Sequence, residues 1–494
     1  MIKNKILLSL CFIGSLLYFV GCKPTEPEIV SYTVNYYGKS GEKITTETVQ
    51  DGKSAECSVN IEDYIEDYKL YSFDHWVDDQ GNDMTSSLGA VNQDLAVYPF
   101  FTHINITPTV TFQGVVYEFN NETASYEVTG YDEETLLENI VFLSAVEGFS
   151  VTKIDLLAFN NCSILKEVTI PASITSSNKA FKSCSNLATV HFAEGTQVID
   201  QYTLYQCTAL TSVNIPEGVV EIKERAFEGC TALQTIALPN TLTTIGYGVF
   251  KGCTALENIS IPNSVVSMGN SVFSGCSKLE TITLSTQLTA IGGHTFYRCS
   301  LSSIVIPEGV ETIGENAFDG CDVLTSVSLP TTMSQISANA FYGCSALKSI
   351  TLPNGLTKIY HHSFANTGLV EVNIPNGVEE IEYRAFLDCT DLKEISIPDS
   401  VKTIGDYAFR YCSKLTSITL PSSLESIGNN AFESCSKLEV LDFSSVDSVV
   451  EIGTNLFKDT TQEITVYVPA SLQTAWQADE TWIATGAIIT IKND

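Results

Sequence analysis

Basic side chains are scarce in this 494-residue chain. Lys and Arg together number 26 against 58 Asp and Glu, so the formal net charge at pH 7 is −32. An acidic surface repels a phosphate backbone, and no Lys-rich or Arg-rich run interrupts the sequence. We therefore expect no nucleic-acid partner and interpret the excess of acidic residues as a solubilising surface.

Catalytic and metal-binding patterns are also missing. The chain contains no Gly-x-Ser-x-Gly, no His-Glu-x-x-His, no phosphate-binding loop and no dinucleotide-binding glycine pattern. It has no Asp-x-Asp-x-Asp-Gly calcium loop, and its one adjacent histidine pair is His361-His362. Residues adjacent on a turn do not face one ion well, so we interpret this pair as part of a solvated surface. The sequence predicts a protein that is not an enzyme and that holds no cofactor or metal.

The first residues are typical of an exported protein. Two lysines precede an apolar run over 6–20, which is short for a membrane-spanning helix. The run ends in a Gly-Cys pair that resembles a bacterial lipobox. Residues 1–21 are therefore predicted to be a lipoprotein signal peptide, with Cys22 as the lipid-bearing first residue of the mature chain. The alternative is an ordinary cleaved signal with an incidental Cys22. The polar, Pro-containing residues 22–28 would then act as a tether to the membrane.

One unit of about 23 residues recurs fourteen times between Phe159 and Thr460, with Leu and Ile at fixed offsets. Such a period is typical of a solenoid whose units stack on their neighbours. Within the copy 210–230, alternating apolar residues over 210–215 predict a β-strand with one face inward. Residues 219–222 predict a second short strand, and 224–227 predict one helical turn. A single unit buries too little apolar surface to offset its ordering entropy, so stacking is obligatory.

Most of the 15 cysteines belong to this repeat and do not suggest disulfides. Twelve occupy one position of successive units, usually three residues after Phe, and Thr367 and Thr460 fill that position in two other units. A small, weakly hydrogen-bonding side chain at a buried turn explains both residue types. We therefore expect free, buried thiols at Cys162, Cys184, Cys207, Cys230, Cys253, Cys276, Cys299, Cys321, Cys344, Cys389, Cys412 and Cys435.

The repeat resembles the BspA-like, or Treponema pallidum-type, leucine-rich repeat. The shared motifs are Ile-Pro or Leu-Pro, Ile-Gly and Ala-Phe-x-x-Cys, as at Ile397-Pro398, Ile404-Gly405 and 408–412. The resemblance implies a repeat solenoid of the leucine-rich repeat class, with a β-strand, a second short strand and a helical turn in each unit. It places the repeats at 151–462.

Both ends of the array are expected to be capped. Residues 104–150 are predicted to be degenerate N-terminal cap repeats, and 463–494 a C-terminal cap. The C-terminal cap would contain a helix over 470–480, with Trp476 and Trp482 as core-capping residues. Two units are one residue short, at Cys299–Leu301 and at Thr367–Leu369. We expect a tightened turn at each of these units and no break in the stack.

Residues 29–103 have a different character, with alternating strands and Gly-containing turns. They resemble the Listeria–Bacteroides repeat, a small β-grasp-like surface module. The shared features are an opening Tyr-x-Val-x-Tyr-Tyr from Tyr32, a central Phe73 and Trp76, and a closing segment over 94–98. The resemblance implies a spacer or a weak binding domain, with Trp76 in its core.

Outward positions of the predicted strands are small and polar, so this face lacks the flat rings that sugar-binding surfaces usually present. Aromatic and Arg side chains gather instead near the predicted helical turns of consecutive later repeats. Tyr and Arg are enriched at the energetic centres of protein–protein interfaces. The candidate protein-binding patch is Tyr360, His362, Tyr383, Arg384, Tyr407, Arg410 and Tyr411.

Together these features and the resemblance imply a non-enzymatic cell-surface lipoprotein. Its expected location is the outer membrane, held by the lipid on Cys22 and exposed at the surface. The expected partner is an extracellular protein, such as a host matrix protein or a protein of another cell, and the expected role is adhesion. One alternative is a surface lipoprotein that captures a glycan or nutrient. Another is an envelope scaffold facing the periplasm.

Overall fold

The structure is a computed structural model that describes residues 31–37, 43–50, 64–66, 69–77, 83–84, 95–460, 463–478 and 488–493. The predicted signal peptide, Cys22, the tether and Trp482 lie outside these residues. The described residues belong to two compact units. The N-terminal unit lies within Met1–Thr129 and Ala145–Thr152, and the repeat unit lies within Gly130–Ser144 and Lys153–Asp494.

The N-terminal unit contains two five-stranded sheets. Strands of the first sheet are β1 (Ser31–Tyr37), β2 (Lys43–Gln50), β3 (Tyr64–Glu66), β4 (Lys69–Val77) and β5 (Leu95–Asn105). Their order is β2-β1-β5-β4-β3, with β1 and β5 parallel and the other pairs antiparallel. Trp76 in β4 is buried. The β-grasp-like assignment stays a prediction, because residues 51–63 lie outside the described part of the chain.

The second sheet covers much of the segment predicted to be cap repeats. Its strands are β6 (Thr109–Phe112), β7 (Val115–Asn120), β8 (Ser125–Tyr131), β10 (Ala145–Val146) and β11 (Phe149–Ile154), in the order β10-β11-β8-β7-β6. The β6–β7 and β10–β11 pairs are antiparallel hairpins. This pairing differs from the parallel pairing of the repeats. Within 104–150, the short strand β9 (Asn139–Val141) is the one that pairs in parallel with the first strand of the repeats.

The repeat unit is a stack of coils with two ladders of short parallel strands. The first ladder contains β9, β12 (Glu167–Ile170), β13 (Thr189–Phe192), β15 (Ser212–Asn214), β18 (Asn258–Ser260), β20 (Thr281–Thr283), β22 (Ser303–Val305), β24 (Ser326–Ser328), β27 (Glu371–Asn373), β29 (Glu394–Ser396), β31 (Ser417–Thr419), β33 (Val440–Asp442), β35 (Glu463–Val468) and β36 (Ile488–Asn493). The second ladder contains two-residue strands: β14 (Val198–Ile199), β16 (Glu221–Ile222), β17 (Thr244–Ile245), β19 (Ser267–Met268), β21 (Ala290–Ile291), β23 (Thr312–Ile313), β25 (Gln335–Ile336), β26 (Lys358–Ile359), β28 (Glu380–Ile381), β30 (Thr403–Ile404), β32 (Ser426–Ile427) and β34 (Glu451–Ile452). Equivalent residues pair in register, as Ile222 does with Ile245.

The core is a set of columns in which each residue lies against its equivalent in the next coil. Phe227, Phe250 and Phe273 are fully buried, and successive ring centroids lie 5.6 Å apart with planes 7° from parallel. One coil has Leu204 in place of Phe, and that side chain is also fully buried. Stacking buries each ring against two neighbours, so a single coil has no complete core of its own.

The stack continues through both short units, as predicted. Phe296 lies 5.2 Å from Phe318 across the first short unit, and Phe364 lies 5.5 Å from Phe386 across the second. Ordinary coils have a two-residue turn directly after the Cys position, and neither short unit has a turn there, at Ser300 or at Gly368. The deletion therefore removes this surface turn, where a tightened turn was expected, and leaves the core columns in place.

The segment predicted to be one helical turn is instead a pair of tight turns. Arg225 has φ 54° and Gly229 has φ 77°, so the chain enters the left-handed region twice within five residues. Arg225 N–H donates to Tyr247 O at 2.8 Å and Phe227 N–H to Val249 O at 3.0 Å, both in the next coil. Sharing alternate N–H groups with the neighbouring coil prevents the continuous internal bonding that an α-helix needs.

All twelve cysteines of the repeat are buried and free, as predicted. Every one of these thiols except that of Cys162 donates to a carbonyl group of the preceding coil, as Cys253 Sγ does to Phe227 O at 3.2 Å. Thr367 occupies the same position and donates to Phe364 O of its own coil at 2.8 Å, and Thr460 Oγ1 is buried without a hydrogen-bond partner among the described residues. The column therefore accepts small side chains, which explains why Cys and Thr both occur in it.

The C-terminal end of the stack is covered by a short helix. Helix α1 (Gln473–Ala478) begins three residues later than the predicted 470–480, and residues 479–480 lie outside the described part of the chain. Trp476 is fully buried, and its ring centroid lies 4.5 Å from that of Phe443. The predicted core-capping role of Trp476 is confirmed.

Candidate functional site

The face formed by the first ladder carries small polar side chains, as the sequence predicts. Asn258 pairs with Thr281 and Ser303 with Ser326, and all four residues are exposed. The exceptions include Val305, whose exposed fraction is 70%, and the directly paired acids Glu371 and Glu394. Short polar side chains give a binding partner little to pack against.

The face formed by the tight turns, here called the turn face, has a different construction. Each coil contributes two residues with positive φ, which fall into two columns. The first column is Leu157, Lys179, Tyr202, Arg225, Gly248, Ser271, His294, Asn316, Asn339, His362, Arg384, Tyr407, Asn430 and Asn455. The second column is Asn161, Ser183, Gln206, Gly229, Gly252, Gly275, Arg298, Gly320, Gly343, Asn366, Asp388, Tyr411, Ser434 and Asp459.

Positive φ favours Gly and, among the other residues, Asn, Asp and His, whereas Arg and Tyr are disfavoured, at a cost of roughly 1–3 kcal/mol for each strained position. Gly, Asn or Asp fills about half of the positions in the two columns. Four of the seven predicted patch residues occupy these columns: His362, Arg384, Tyr407 and Tyr411. Their side chains therefore stand where smaller residues would strain the backbone less.

Six of the seven predicted residues form one continuous cluster. The His362 ring centroid lies 5.4 Å from that of Tyr383, and the Tyr383 and Tyr407 centroids are 5.9 Å apart at 90°. The Arg384 guanidinium lies 4.7 Å from the Tyr383 centroid and 5.1 Å from that of Tyr407. Arg410 extends the series, 5.3 Å from the Tyr407 centroid and 4.5 Å from that of Tyr411. We call these six residues, with Tyr342, the C-terminal cluster.

Two details of the cluster differ from the sequence prediction. Tyr360 packs below Lys358, 5.7 Å from its ammonium group, and not against the other six residues. Tyr342, which the sequence analysis did not select, lies 6.3 Å from His362 between ring centroids. It precedes the others by one coil, so an extension of the search by one repeat would have found it.

The two arginines of the cluster have different electrostatic surroundings. Arg410 Nη2 lies 3.0 Å from Oε1 of the buried Glu433, which also lies 3.7 Å from Lys458 Nζ. Arg384 has no ion-pair partner within the part of the chain that the structure describes, and its charge lies between two tyrosine rings. Burial first, and then the charges of Arg384 and His361, lower the pKa of His362. His362 is therefore neutral at pH 7.

The adjacent histidines do not converge on one point. Their ring centroids are 6.0 Å apart with planes at 82°, and His361 Nδ1 lies 3.3 Å from Glu382 Oε2. Over the described ranges, no group of three His, Cys, Asp or Glu side chains is arranged to hold a metal ion.

A second cluster on the turn face escaped the sequence analysis. It consists of Lys179, Lys182, Tyr202, Tyr205, Arg225 and Tyr247, and we call it the N-terminal cluster. Lys179 Nζ and the Arg225 guanidinium lie 5.0 Å and 5.6 Å from the Tyr202 centroid, and Arg225 also lies 5.0 Å from that of Tyr247. Counting back from Arg384 in steps of one repeat reaches the same column, which was the missed signal.

The fold defines a class of protein, a solenoid of parallel β-coils with a leucine-rich core. A family model described as the BspA type leucine rich repeat region matches residues 133–256, 197–325, 311–404 and 379–477. These matches cover more than half of the chain. The chain therefore belongs to the BspA-type leucine-rich repeat family.

A solved structure gives the same picture of the fold. A leucine-rich repeat protein from Bacteroides ovatus is 27% identical, with a TM-score of 0.58, over 78% of this chain and 99% of its own. A leucine rich cell surface protein from Faecalibacterium prausnitzii is 24% identical, with a TM-score of 0.46, over 79% of this chain and 96% of its own. No curated protein matches the chain. Within the residues described, none of the helices has the length and hydropathy needed to cross a membrane.

Proposed function

We propose that this chain is a non-enzymatic cell-surface lipoprotein that binds an extracellular protein through the C-terminal cluster. Its proposed role is adhesion to a host matrix protein or to a protein on another cell. Membership of a leucine-rich repeat family supports protein binding in general, because a repeat stack presents long continuous surfaces. The lipid on Cys22 and exposure at the outer membrane are part of the proposal.

The observation that carries the proposal is the choice of residues in the left-handed columns. Over three consecutive coils these positions hold His362, Arg384 and Tyr407, although Asn339 and Asn430 fill the same column on either side. Bulky residues at positive φ cost stability that Asn or Gly would largely restore. A binding role explains why such residues occupy adjacent coils.

The cluster also has the physical properties of an interface centre. Tyr383 is 39% exposed, and its ring is held between His362 and Tyr407 in edge-to-face contacts. Arg384 is held between two rings, so little side-chain entropy remains to be lost on binding. Its lack of a carboxylate partner within the described residues leaves its charge available to an acidic group of a ligand.

The test compares two double variants for binding to immobilised collagen, laminin and fibronectin. Arg384→Asn with Tyr407→Asn changes two cluster residues to one that the column already contains. His294→Asn with Ser271→Asn makes the same type of change in the same column outside the cluster. We expect the first variant to lose at least tenfold in affinity for the ligand that the wild type binds, and the control to stay within twofold. Equal binding by all three proteins would contradict the proposal.

The predicted lipid anchor needs a separate test. Cys22→Ser should move the protein from the membrane fraction to the soluble fraction. Protease added to intact cells should cut the wild-type protein if the repeats face outward. Protection from protease would favour the periplasmic scaffold, and binding only to glycans would favour the capture of sugars.

A further inference from the structure

The N-terminal cluster differs from the C-terminal cluster in its charge. Its four turn segments, 177–184, 200–207, 223–230 and 246–253, contain five basic and three acidic residues, a net charge of +2. The four equivalent turn segments that carry the C-terminal cluster contain two basic and three acidic residues, a net charge of −1; they are 337–344, 360–367, 382–389 and 405–412. In a chain with a net charge of −32, the N-terminal cluster is therefore a local concentration of positive charge.

Part of this positive charge is not neutralised by neighbours. Lys179 and Lys182 have no carboxylate partner among the described residues, and their ammonium groups lie 5.0 Å and 5.9 Å from the centroids of Tyr202 and Tyr205. A tyrosine ring attracts a cation without cancelling its charge. These two lysines therefore remain available to an anionic ligand.

The other cations are held in place by carboxylates at the edge of the cluster. Glu228 lies 3.3 Å from both Arg225 Nε and Lys251 Nζ, and its side chain is only 13% exposed. Lys223 Nζ lies 3.2 Å from Asp200, whose side chain is 9% exposed. Arg225 Nε also lies 3.4 Å from Glu224 Oε1. These acids hold the cations in place and neutralise part of their charge.

Cations cover the faces of the central ring in the cluster. Lys179 and Arg225 both lie close to the Tyr202 ring, and Arg225 also lies against Tyr247. A neutral sugar usually stacks on an open ring face, and these contacts leave little open face on Tyr202. The groups that cover this ring are instead ammonium and guanidinium, which favour carboxylate or sulfate groups.

The cations are arranged along a line that follows the stacking direction. Lys179 and Arg225 lie in one column two coils apart, which corresponds to about 10 Å at the spacing of neighbouring strands. A linear polymer with a negative charge on each repeating unit would meet several of these cations in succession. A compact anion would reach only one or two of them.

We propose that the N-terminal cluster binds an acidic polysaccharide that carries uronate or sulfate groups. The site is separate from the C-terminal cluster and has a ligand of another class, so the failure of either proposal leaves the other intact. An acidic protein segment is the competing ligand. In an extended strand the side chains on one face recur about every 7 Å, which does not match the spacing of about 4.8 Å between neighbouring coils.

The test measures binding of the purified mature chain to polygalacturonate, chondroitin sulfate, neutral dextran and polyglutamate at low and moderate salt. Lys179→Asn with Arg225→Asn removes two charges with a residue found elsewhere in the column. Lys278→Asn with Lys437→Asn removes two charges from exposed lysines outside the cluster. Arg225→Lys keeps the charge, and thermal unfolding of each variant checks its fold.

We expect the wild type to bind at least one acidic polysaccharide, more weakly as salt rises, and to leave dextran unbound. The Lys179→Asn/Arg225→Asn variant should bind at least tenfold more weakly. The matched lysine variant, Arg225→Lys and the Arg384→Asn/Tyr407→Asn variant should stay within threefold of the wild type. Equal losses in both charge-removing variants, equal binding to dextran, or binding to polyglutamate alone would overturn the proposal.

Discussion

The inward and outward columns of the repeat unit differ in the side chains that they accept. Inward columns hold one residue type with a close substitute, such as Phe with Leu204 or Cys with Thr367. The left-handed columns of the turn face hold Gly, Asn, Asp, Ser, Gln, Lys, Arg, His, Tyr and Leu. Packing determines the inward residues, because each contacts its equivalent in two neighbouring coils. The residues of the turn face vary because the backbone there requires only a residue that can adopt a positive φ.

The two clusters show what this freedom allows. Both use the same columns and hold an arginine between two tyrosine rings, Arg225 between Tyr202 and Tyr247 and Arg384 between Tyr383 and Tyr407. They differ in net charge, which sets the chemistry of the ligand that each can accept. One scaffold can therefore carry two unlike surfaces without any change in its core.

The largest effect is expected when an inward column is interrupted. Phe273→Ala should lower the free energy of unfolding by about 3–5 kcal/mol, because it leaves a cavity in the middle of the aromatic stack. Phe273→Leu should cost less than about 1.5 kcal/mol, since Leu204 fills the same position in another coil. Urea unfolding of the two variants measures the difference. Equal stability of Phe273→Ala and wild type would contradict the role assigned to the column.

The thiol column predicts a loss of stability at alkaline pH. Burial raises the pKa of Cys253, Cys321 and Cys435 to about 12. Above the ordinary thiol pKa of about 8.5, the unfolded chain releases these protons while the folded chain keeps them. The stabilisation is therefore complete below that pH and is lost as pH rises towards 12.

Urea unfolding at a series of pH values tests this prediction. A Cys253→Thr/Cys321→Thr variant should show a shallower fall in stability with rising pH than the wild type, because Thr does not ionise. Its stability at pH 7 should stay close to that of the wild type, because Thr367 already occupies the Cys position in another coil. Identical pH profiles for the two proteins would rule out the thiols as the cause.

Substitutions in the left-handed columns should have small effects on stability. Arg384→Asn should change the free energy of unfolding by less than about 1 kcal/mol, because relief of backbone strain offsets the lost contacts with two rings. The opposite substitution at another position of the same column, Asn316→Arg, should lower the free energy of unfolding by about 1 kcal/mol or more. Thermal unfolding of both variants measures the asymmetry. A large loss in Arg384→Asn would mean that this arginine serves folding and not recognition.

The smallest effect concerns a surface ion network at the second short unit. Asp391 accepts from Lys348 Nζ at 2.9 Å and from Lys414 Nζ at 2.5 Å, and Lys414 and Lys348 lower the pKa of Asp391 to about 2. Its contribution to stability is present above the ordinary carboxyl pKa and is lost as pH falls towards 2. Asp391→Asn should cost at most about 1 kcal/mol at pH 7, with less difference at high salt. A loss independent of both salt and pH would assign the effect to packing.

Periodicity in the sequence accounts for much of the fold. The 23-residue period predicted the stack, the buried free thiols and the uninterrupted core at the short units. The capping position of Trp476 was instead implied by the resemblance to the repeat family. A helical turn was predicted because Glu, Arg and Ala favour helices locally, but the structure has a pair of tight turns at these residues. Their N–H groups are taken by the next coil, which no local pattern reveals. The hairpins within 104–150 were not predicted, because that segment was interpreted from its resemblance to the start of the repeat array and not from strand and turn signals of its own.

The candidate site was partly predictable for a related reason. Spacing of one repeat brought His362, Arg384 and Tyr407 onto neighbouring coils, and the structure places their side chains in contact. Positive φ at these positions could not be inferred, since Arg and Tyr are unusual in that conformation. The N-terminal cluster was missed because its rings and cations alternate between coils and form no dense run in the sequence.

Hydrogen exchange on the complex tests the central claim most directly, namely that recognition belongs to the turn face and stability to the interior. The probe is the matrix protein that the wild type binds in the array of collagen, laminin and fibronectin. If the turn face binds this protein, exchange should slow in peptides covering 360–366, 382–388 and 405–411 and stay unchanged in β27, β29 and β31. Protection of those three strands, with unchanged exchange in the turns, would contradict the central claim.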